Sequence, residues 1–201
     1  MHNEFESESI VEYYLKQNIS KMFRKFIIFL TAFFWSPGLL LADSITEQIE
    51  SIGANVIFMR HAIAPGTGDP KDFKIGDCET QRNLSDEGRK QAIRLGNFLR
   101  SNIKIDRVFT SQWCRCIETA QLLDLADLET FPGLNSFYQG HFDRASVLQK
   151  LNDFLHQLDE STLTLLVTHQ VVISAITGQY ADSGGIVLYN SESGESHSLR
   201  Q

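Results

Sequence analysis

The chain has 201 residues, 42% of them hydrophobic, and a formal net charge of −7. That apolar share excludes a disordered chain, and the length predicts one domain with an appendage. The negative charge excludes a nucleic-acid binder, which needs a basic surface, but not a small phosphorylated ligand held by two or three local cations.

The first 42 residues differ from the rest. Residues 1–21 carry Glu4, Glu6, Glu8 and Glu12, which is wrong for the leading region of a signal peptide. Lys21 to Lys25 is a short basic patch, and Phe26 to Leu41 is apolar apart from Thr31 and Ser36, before Ala42 and Asp43. Basic, then apolar, then small is the order of a secretory signal peptide. The expectation is an over-extended gene start over 1–21, with Met22 as the true start, a signal peptide over 22–42 and a domain over 43–201. The apolar run falls short of the roughly 20 residues of a comfortable membrane span, so cleavage is favoured over an uncleaved anchor. No cysteine stands at the cleavage site to carry a lipid. The expected location is periplasmic or secreted, with no stable membrane span after cleavage.

Ser44 to Ile52 reads as a short amphipathic lead-in. The first strand follows at 55–59, where Val56 to Met59 form the unbroken apolar run of a buried parallel strand. Arg60 and His61 stand at its carboxyl end, where open α/β sheets bind ligands. Residues 62–79 are rich in Gly, Pro and Asp and predict a long loop. Ser85 is a good N-cap for a helix reaching about Arg100, with Asp86 and Glu87 at its positive end. Arg107 to Thr110 predicts the second strand, ending at Ser111. A second helix runs from about Arg115 to Leu123. Arg115 lies near its start, where the helix dipole opposes a cation unless an anion is shared there. Residues 131–142 are irregular. Ala145 to Gln157 is an amphipathic helix, and Leu163 to Thr168 is the third apolar strand, with His169 directly after it. Val171 to Thr177 begins another helix, capped by Gly178. Ile186 to Tyr189 predicts a final edge strand, and Asn190 to Gln201 is expected to fray.

This alternation predicts an α/β fold, a three-layer sandwich with a mostly parallel central sheet and helices on both faces. Cys78, Cys114 and Cys116 are an odd set for an exported chain. A bridge from Cys78 to Cys114 or to Cys116 is expected in an oxidising compartment, and no metal site, because three cysteines without a CxxC pair or an adjacent His make weak zinc ligands. Arg60, His61, Arg115 and His169 should converge on one sheet edge with no Asp or Glu among them. Such a pocket suits a phosphate dianion: arginine forks bind phosphate, and a neutral imidazole is a nucleophile.

These residues resemble the histidine phosphatase superfamily, in its phosphoglycerate mutase-like branch. Arg60-His61-Ala62 resembles the family's Arg-His-Gly after a strand. Leu84-Ser85-Asp86-Glu87-Gly88-Arg89-Lys90-Gln91-Ala92 resembles its helix signature. Ser111, Arg115, Thr119 and Ala120 match its third motif, and Val167-Thr168-His169 its second histidine. The resemblance implies a phosphomonoesterase in which His61 forms a phosphohistidine, while Arg60, Arg115 and His169 hold the phosphoryl oxygens. It implies no cofactor. The substrate would be a small phosphorylated compound, an envelope phosphosugar being one such class. Two departures stand out. Ala62 replaces the usual glycine, and the family's acidic residue is missing, with Ser136 after Leu134-Asn135 and Gln170 after His169. Asp143 and His141 are the candidates for the general acid. The rival reading is a non-catalytic domain that binds a phospho-ligand or an envelope component.

Overall fold

A computed structural model describes residues 44–199. The expected gene extension and signal peptide lie outside the described residues. Among those described, no helix is long and apolar enough to cross a membrane. The chain runs α1 (Ile45–Ile52), β1 (Val56–Arg60), α2 (Asp86–Asn102), β2 (Arg107–Thr110), α3 (Cys114–Leu123), β3 (Leu128–Thr130), α4 (Arg144–Leu155), β4 (Thr164–Thr168), α5 (Gln170–Thr177), β5 (Ile186–Tyr189) and β6 (Ser196–Ser198). One six-stranded sheet results, in the order β3-β2-β4-β1-β5-β6. β1 to β4 pair in parallel, and β5 and β6 are antiparallel. This is the expected mostly parallel α/β sandwich.

The pleat of the central strands divides the core. Ile57, Met59, Leu165, Val167, Ile186 and Leu188 face α1, α2 and α3. Val56, Phe58, Leu166 and Val187 face α4 and α5, through Leu151, Leu155, Val172 and Ile173. Both faces are covered, so β1 reads as a continuous apolar run rather than an alternating one. Ser85 caps α2 by accepting from Gly88 N, and α5 closes on Gly178 in the left-handed conformation, both as the sequence predicts.

One strand was not expected from the sequence, and two expectations are corrected. β3 is three residues long and largely exposed, too short for any period to register in the sequence. β5 is not an edge, because β6 pairs with it. The tail does not fray over 190–199. The Asn190 side-chain oxygen accepts from Glu192 N and Ser193 N, both at 2.9 Å, and Gly194 takes φ +75°, so a tight turn sends the chain back along β5. An Asn that bonds its own following backbone is a turn signal, overlooked here because the segment is so polar.

Cys78 and Cys114 form a disulfide with a Cα separation of 5.7 Å, and Cys116 stays free and buried. Of the two pairings left open by the sequence, the first is therefore formed. It ties a turn of the long loop to the first residue of α3 across 36 positions. A closure of that size stabilises by about 2–4 kcal/mol through the unfolded chain. Cys78→Ser should lower the denaturant midpoint of unfolding correspondingly, and adding reductant to that variant should cost nothing further.

Candidate active site

Register brings the expected residues together. β1, β4 and β2 are neighbours, with Arg60 opposite Thr168 and Thr110 opposite Val167. The next residue of each strand, His61, His169 and Ser111, therefore emerges at about one level. Ladder bonds continue one step beyond the strands, from His61 N to Thr168 O and from Ser111 N to Val167 O, both at 3.0 Å. The two imidazoles lie 5.6 Å apart between ring centroids. They line a cleft of about 250 Å³ together with Arg60, Arg115, Arg82 and Asp69.

The path of the chain after His61 explains the helix motif. Ala62 N donates to Thr119 Oγ1 at 3.0 Å, and Ile63 N to Gln91 Oε1 at 3.0 Å. Gln91 Nε2 donates onward to Ser183 O at 2.7 Å. Ser85 N donates to Ile63 O at 3.1 Å. A Cβ on Gly88 would stand 2.0 Å from Ile63 O, so only glycine lets α2 approach this closely. Ser85, Gly88, Gln91 and Thr119 are thus the scaffold of the His61 loop rather than its chemistry. The Ala62 methyl is accommodated in a small buried cluster with Ala64, Leu84 and Ala92.

His61 is buried, with Nδ1 2.8 Å from the carbonyl oxygen of Ala62. A carbonyl only accepts, so Nδ1 carries the proton and Nε2 keeps a bare lone pair. Burial, and after it the charge of Arg115, push the His61 pKa down to about 3; the Ala62 bond pulls weakly upward, and Arg82 and Arg60 push further down. The imidazole is neutral at neutral pH. His169 is also held well below its ordinary value, first by burial and then by Arg115, His61, Arg82 and Arg60. Its Nδ1 faces Arg115 Nη2 at 3.5 Å, and an arginine only donates, so the proton sits on Nε2. Nε2 donates to Ser111 Oγ at 2.9 Å, and that hydroxyl donates to Asn135 Oδ1 at 3.2 Å. Cys116 touches the same imidazole at 3.5 Å, but burial pushes its thiol up to about 12, so it stays protonated.

Arg60 donates to Ala181 O at 3.1 Å, and the Nε groups of Arg60 and Arg115 are buried with no protein partner. Arg82 was overlooked in the sequence. It donates through Nε to Gly68 O at 2.8 Å and through Nη1 to Ala64 O. Burial and the nearby Arg115 lower its pKa, which Asp69 partly offsets. Its signal was its place two residues before the helix motif, at the end of a loop that covers the strand ends.

The expectation of a cluster free of carboxylates is corrected. Asp69 stands in it, bonded to Arg115 Nη1 at 2.7 Å and Nη2 at 3.1 Å, with both side chains 4% exposed. The anion that lets a cation sit at the start of α3 is therefore a side chain of the long loop. The two candidates for the general acid lie outside the cleft lining. Asp143 is the N-cap of α4 and accepts from Ser146 N at 2.8 Å. His141 packs on Phe73, with ring centroids 4.3 Å apart. Among the described residues, no group of acidic, His and Cys side chains is arranged to hold a metal.

Both histidines are kept neutral by the fold, so the unfolded chain binds more protons between about pH 3 and the free-histidine value of 6.5. Stability should therefore be full above about 6.5 and fall as pH drops towards 3. Phosphate should blunt that fall, because an anion in the cleft favours the protonated imidazoles. Denaturant titrations at pH 7 and pH 5, with and without phosphate, measure it.

A family model of the histidine phosphatase superfamily (branch 1) matches residues 56–147. Solved structures share the fold at low identity. The protein histidine phosphatase SixA complexed with tungstate is 20% identical, with a TM-score of 0.50 over 72% of this chain and 94% of that one. An open reading frame product from Mycobacterium tuberculosis is 17% identical, with a TM-score of 0.52 over 72% and 95%. A putative alpha-ribazole-5'-P phosphatase from Escherichia coli is 17% identical, with a TM-score of 0.50 over 72% and 93%. No curated protein matches the chain in sequence. Strand-end histidines, the scaffold that holds them and the family model lead to one conclusion: from β1 to the start of α4 the chain matches the histidine phosphatase superfamily (branch 1).

Proposed function

We propose that the protein hydrolyses a phosphomonoester through a phosphohistidine at His61. The observation that carries this reading is the His61 tautomer, with its proton fixed on Nδ1 by the Ala62 carbonyl and Nε2 bare in a cationic cleft. Nε2 attacks phosphorus and forms an N–P bond. The bond to the leaving oxygen breaks, and that oxygen keeps the electron pair and takes a proton from solvent. Water then attacks phosphorus, the N–P bond breaks and inorganic phosphate leaves.

Arg60, Arg115 and His169 hold the equatorial oxygens, with Arg82 adding positive charge nearby. In the ligand-free site the arginines help to keep His169 neutral. A bound dianion reverses that field, so His169 gains a proton on Nδ1 and donates it as a hydrogen bond to the phosphoryl group. Ser111 and Asn135 behind it keep the ring oriented.

The same reading makes the protein an exported enzyme of the periplasm or the extracellular space. The basic and apolar order of residues 22–42 supports it, and so does the disulfide, a bond that persists in oxidising compartments. Its substrate is a small phosphorylated compound, an envelope phosphosugar. The exposed ring of Tyr138 and the polar Thr67, Ser136 and Gln170 on the cleft lining suit a hydroxylated ring.

The test is turnover of an aryl phosphate, then of a panel of phosphosugars and phosphohistidine, by the purified chain. His61→Ala should abolish turnover and keep the fold. Residual activity above about 1% would exclude His61 as nucleophile, since losing a covalent route costs several powers of ten. With the leaving oxygen protonated by solvent, rates should depend steeply on its pKa, and aryl esters should react much faster than alkyl esters. Asp143→Asn and His141→Ala should leave that ratio unchanged. A binding domain would give no turnover and no phosphate on His61.

A further inference from the structure

The carboxylate of Asp69 is the feature of the cleft that the reaction above does not use. It accepts from four donors: Arg115 Nη1 at 2.7 Å and Nη2 at 3.1 Å, the indole Nε1 of Trp113 at 3.0 Å and the backbone N of Arg82 at 3.1 Å. Its own backbone is held as well, with Asp69 N donating to Gln139 Oε1 at 2.7 Å. Its loop is tied to α3 by the disulfide and by Cys114 N donating to Gln81 Oε1 at 2.9 Å. A side chain fixed this many times has a single position. Arg115 gives Asp69 the edge of its fork formed by the two terminal nitrogens, and Nη1 also donates to Arg82 O at 3.2 Å. It keeps capacity in reserve. Nε has no protein partner, and Nη2 also lies beside His169 Nδ1 at 3.5 Å.

We propose that Asp69 is a positioning residue: its carboxylate fixes one edge of the Arg115 guanidinium so that the remaining N–H groups meet the phosphoryl oxygens as charge builds on them. The inference rests on the phosphatase reading and says how that site is aimed. Every contact to Asp69 is a donor onto an ionised carboxylate, so the group is built to stay charged and not to deliver a proton. Displacing it would leave a buried carboxylate facing Trp113 without its counter-ion. It also offsets the mutual repulsion of Arg60, Arg82 and Arg115 in the empty cleft.

Two experiments on the full chain test this. In a crystal structure with orthovanadate, Asp69 should stay within hydrogen-bond distance of both terminal nitrogens of Arg115 while Arg115 also contacts the vanadate. An Asp69 that has left Arg115 in that complex overturns the proposal, and this arm needs no variant. In kinetics, Asp69→Asn should lower kcat on the order of 10- to 100-fold, as a misaimed catalytic group does. KM should not rise, because the cleft becomes more cationic. The loss should be equal for aryl and alkyl phosphates, and Asp69→Asn should cost nothing further in an Arg115→Ala background. Unchanged or faster turnover, a loss confined to alkyl esters, or a full additional loss without Arg115 each overturn it. If Asp69→Asn fails to fold, the vanadate complex decides. A wild-type chain without turnover overturns the phosphatase reading instead, and the vanadate complex still decides what Asp69 does at Arg115.

Discussion

The site depends on one buried ion pair. Three guanidinium groups and two imidazoles share a small cleft, and like charges at that density repel one another. Asp69 is the carboxylate that offsets this, and it does so at Arg115, the cation whose place at the start of α3 is least favourable. The paired charges are hydrogen-bonded on several sides, the condition under which a buried pair can recover its desolvation cost. Burial, and after it the positive charge led by Arg115, keeps both histidines unprotonated in the empty cleft.

Around that pair the fold is a set of tethers to short pieces of backbone. Sheet register alone sets the two histidines and Ser111 level. The chain leaving His61 is then held from α2 through Ser85 and Gln91 and from α3 through Thr119. Gln91 reaches on to Ser183, in the connection that also supplies the Ala181 carbonyl to Arg60. One helix thus braces both sides of His61. The disulfide does the same for the covering loop, fastening it next to the arginine that the loop must meet. Positioning of this kind raises rates because the groups that stabilise developing charge need no reorganisation when the reaction occurs.

The missing family acid takes on a different meaning in this setting. Ser136 lies on the cleft lining, directly after the buried Leu134-Asn135 pair. Asn135 instead belongs to the hydrogen-bond chain behind His169. Among the described residues, the one carboxyl group on the lining, Asp69, is committed to Arg115. In the proposed reaction the departing oxygen therefore takes its proton from solvent.

The sequence by itself determined the elements with strong patterns and the residues at their ends. β1, β4, α2 and α5 were legible because unbroken apolar runs and good caps are local signals. The strand-end residues Arg60, His61 and His169 were legible because a polar residue directly after a buried strand has few other places to go. The hairpin to β6 was overlooked because its strand is short and polar and its evidence is the turn chemistry of Asn190. Only the tertiary structure decided what occupies the cleft. Asp69 lies in a loop with no periodicity, where nothing local distinguishes it from a surface charge, and Arg82 was marked only by its place just before the helix motif. Asp143 and His141 were the sequence's candidates for the general acid, but one caps a helix and the other packs on Phe73. The choice of Cys114 over Cys116 was likewise tertiary: two positions along α3 turn one sulfur towards the loop and the other towards His169. Pairings between distant segments depend on the path of the backbone between them, and here that path is set by the sheet, the disulfide and a buried ion pair acting together.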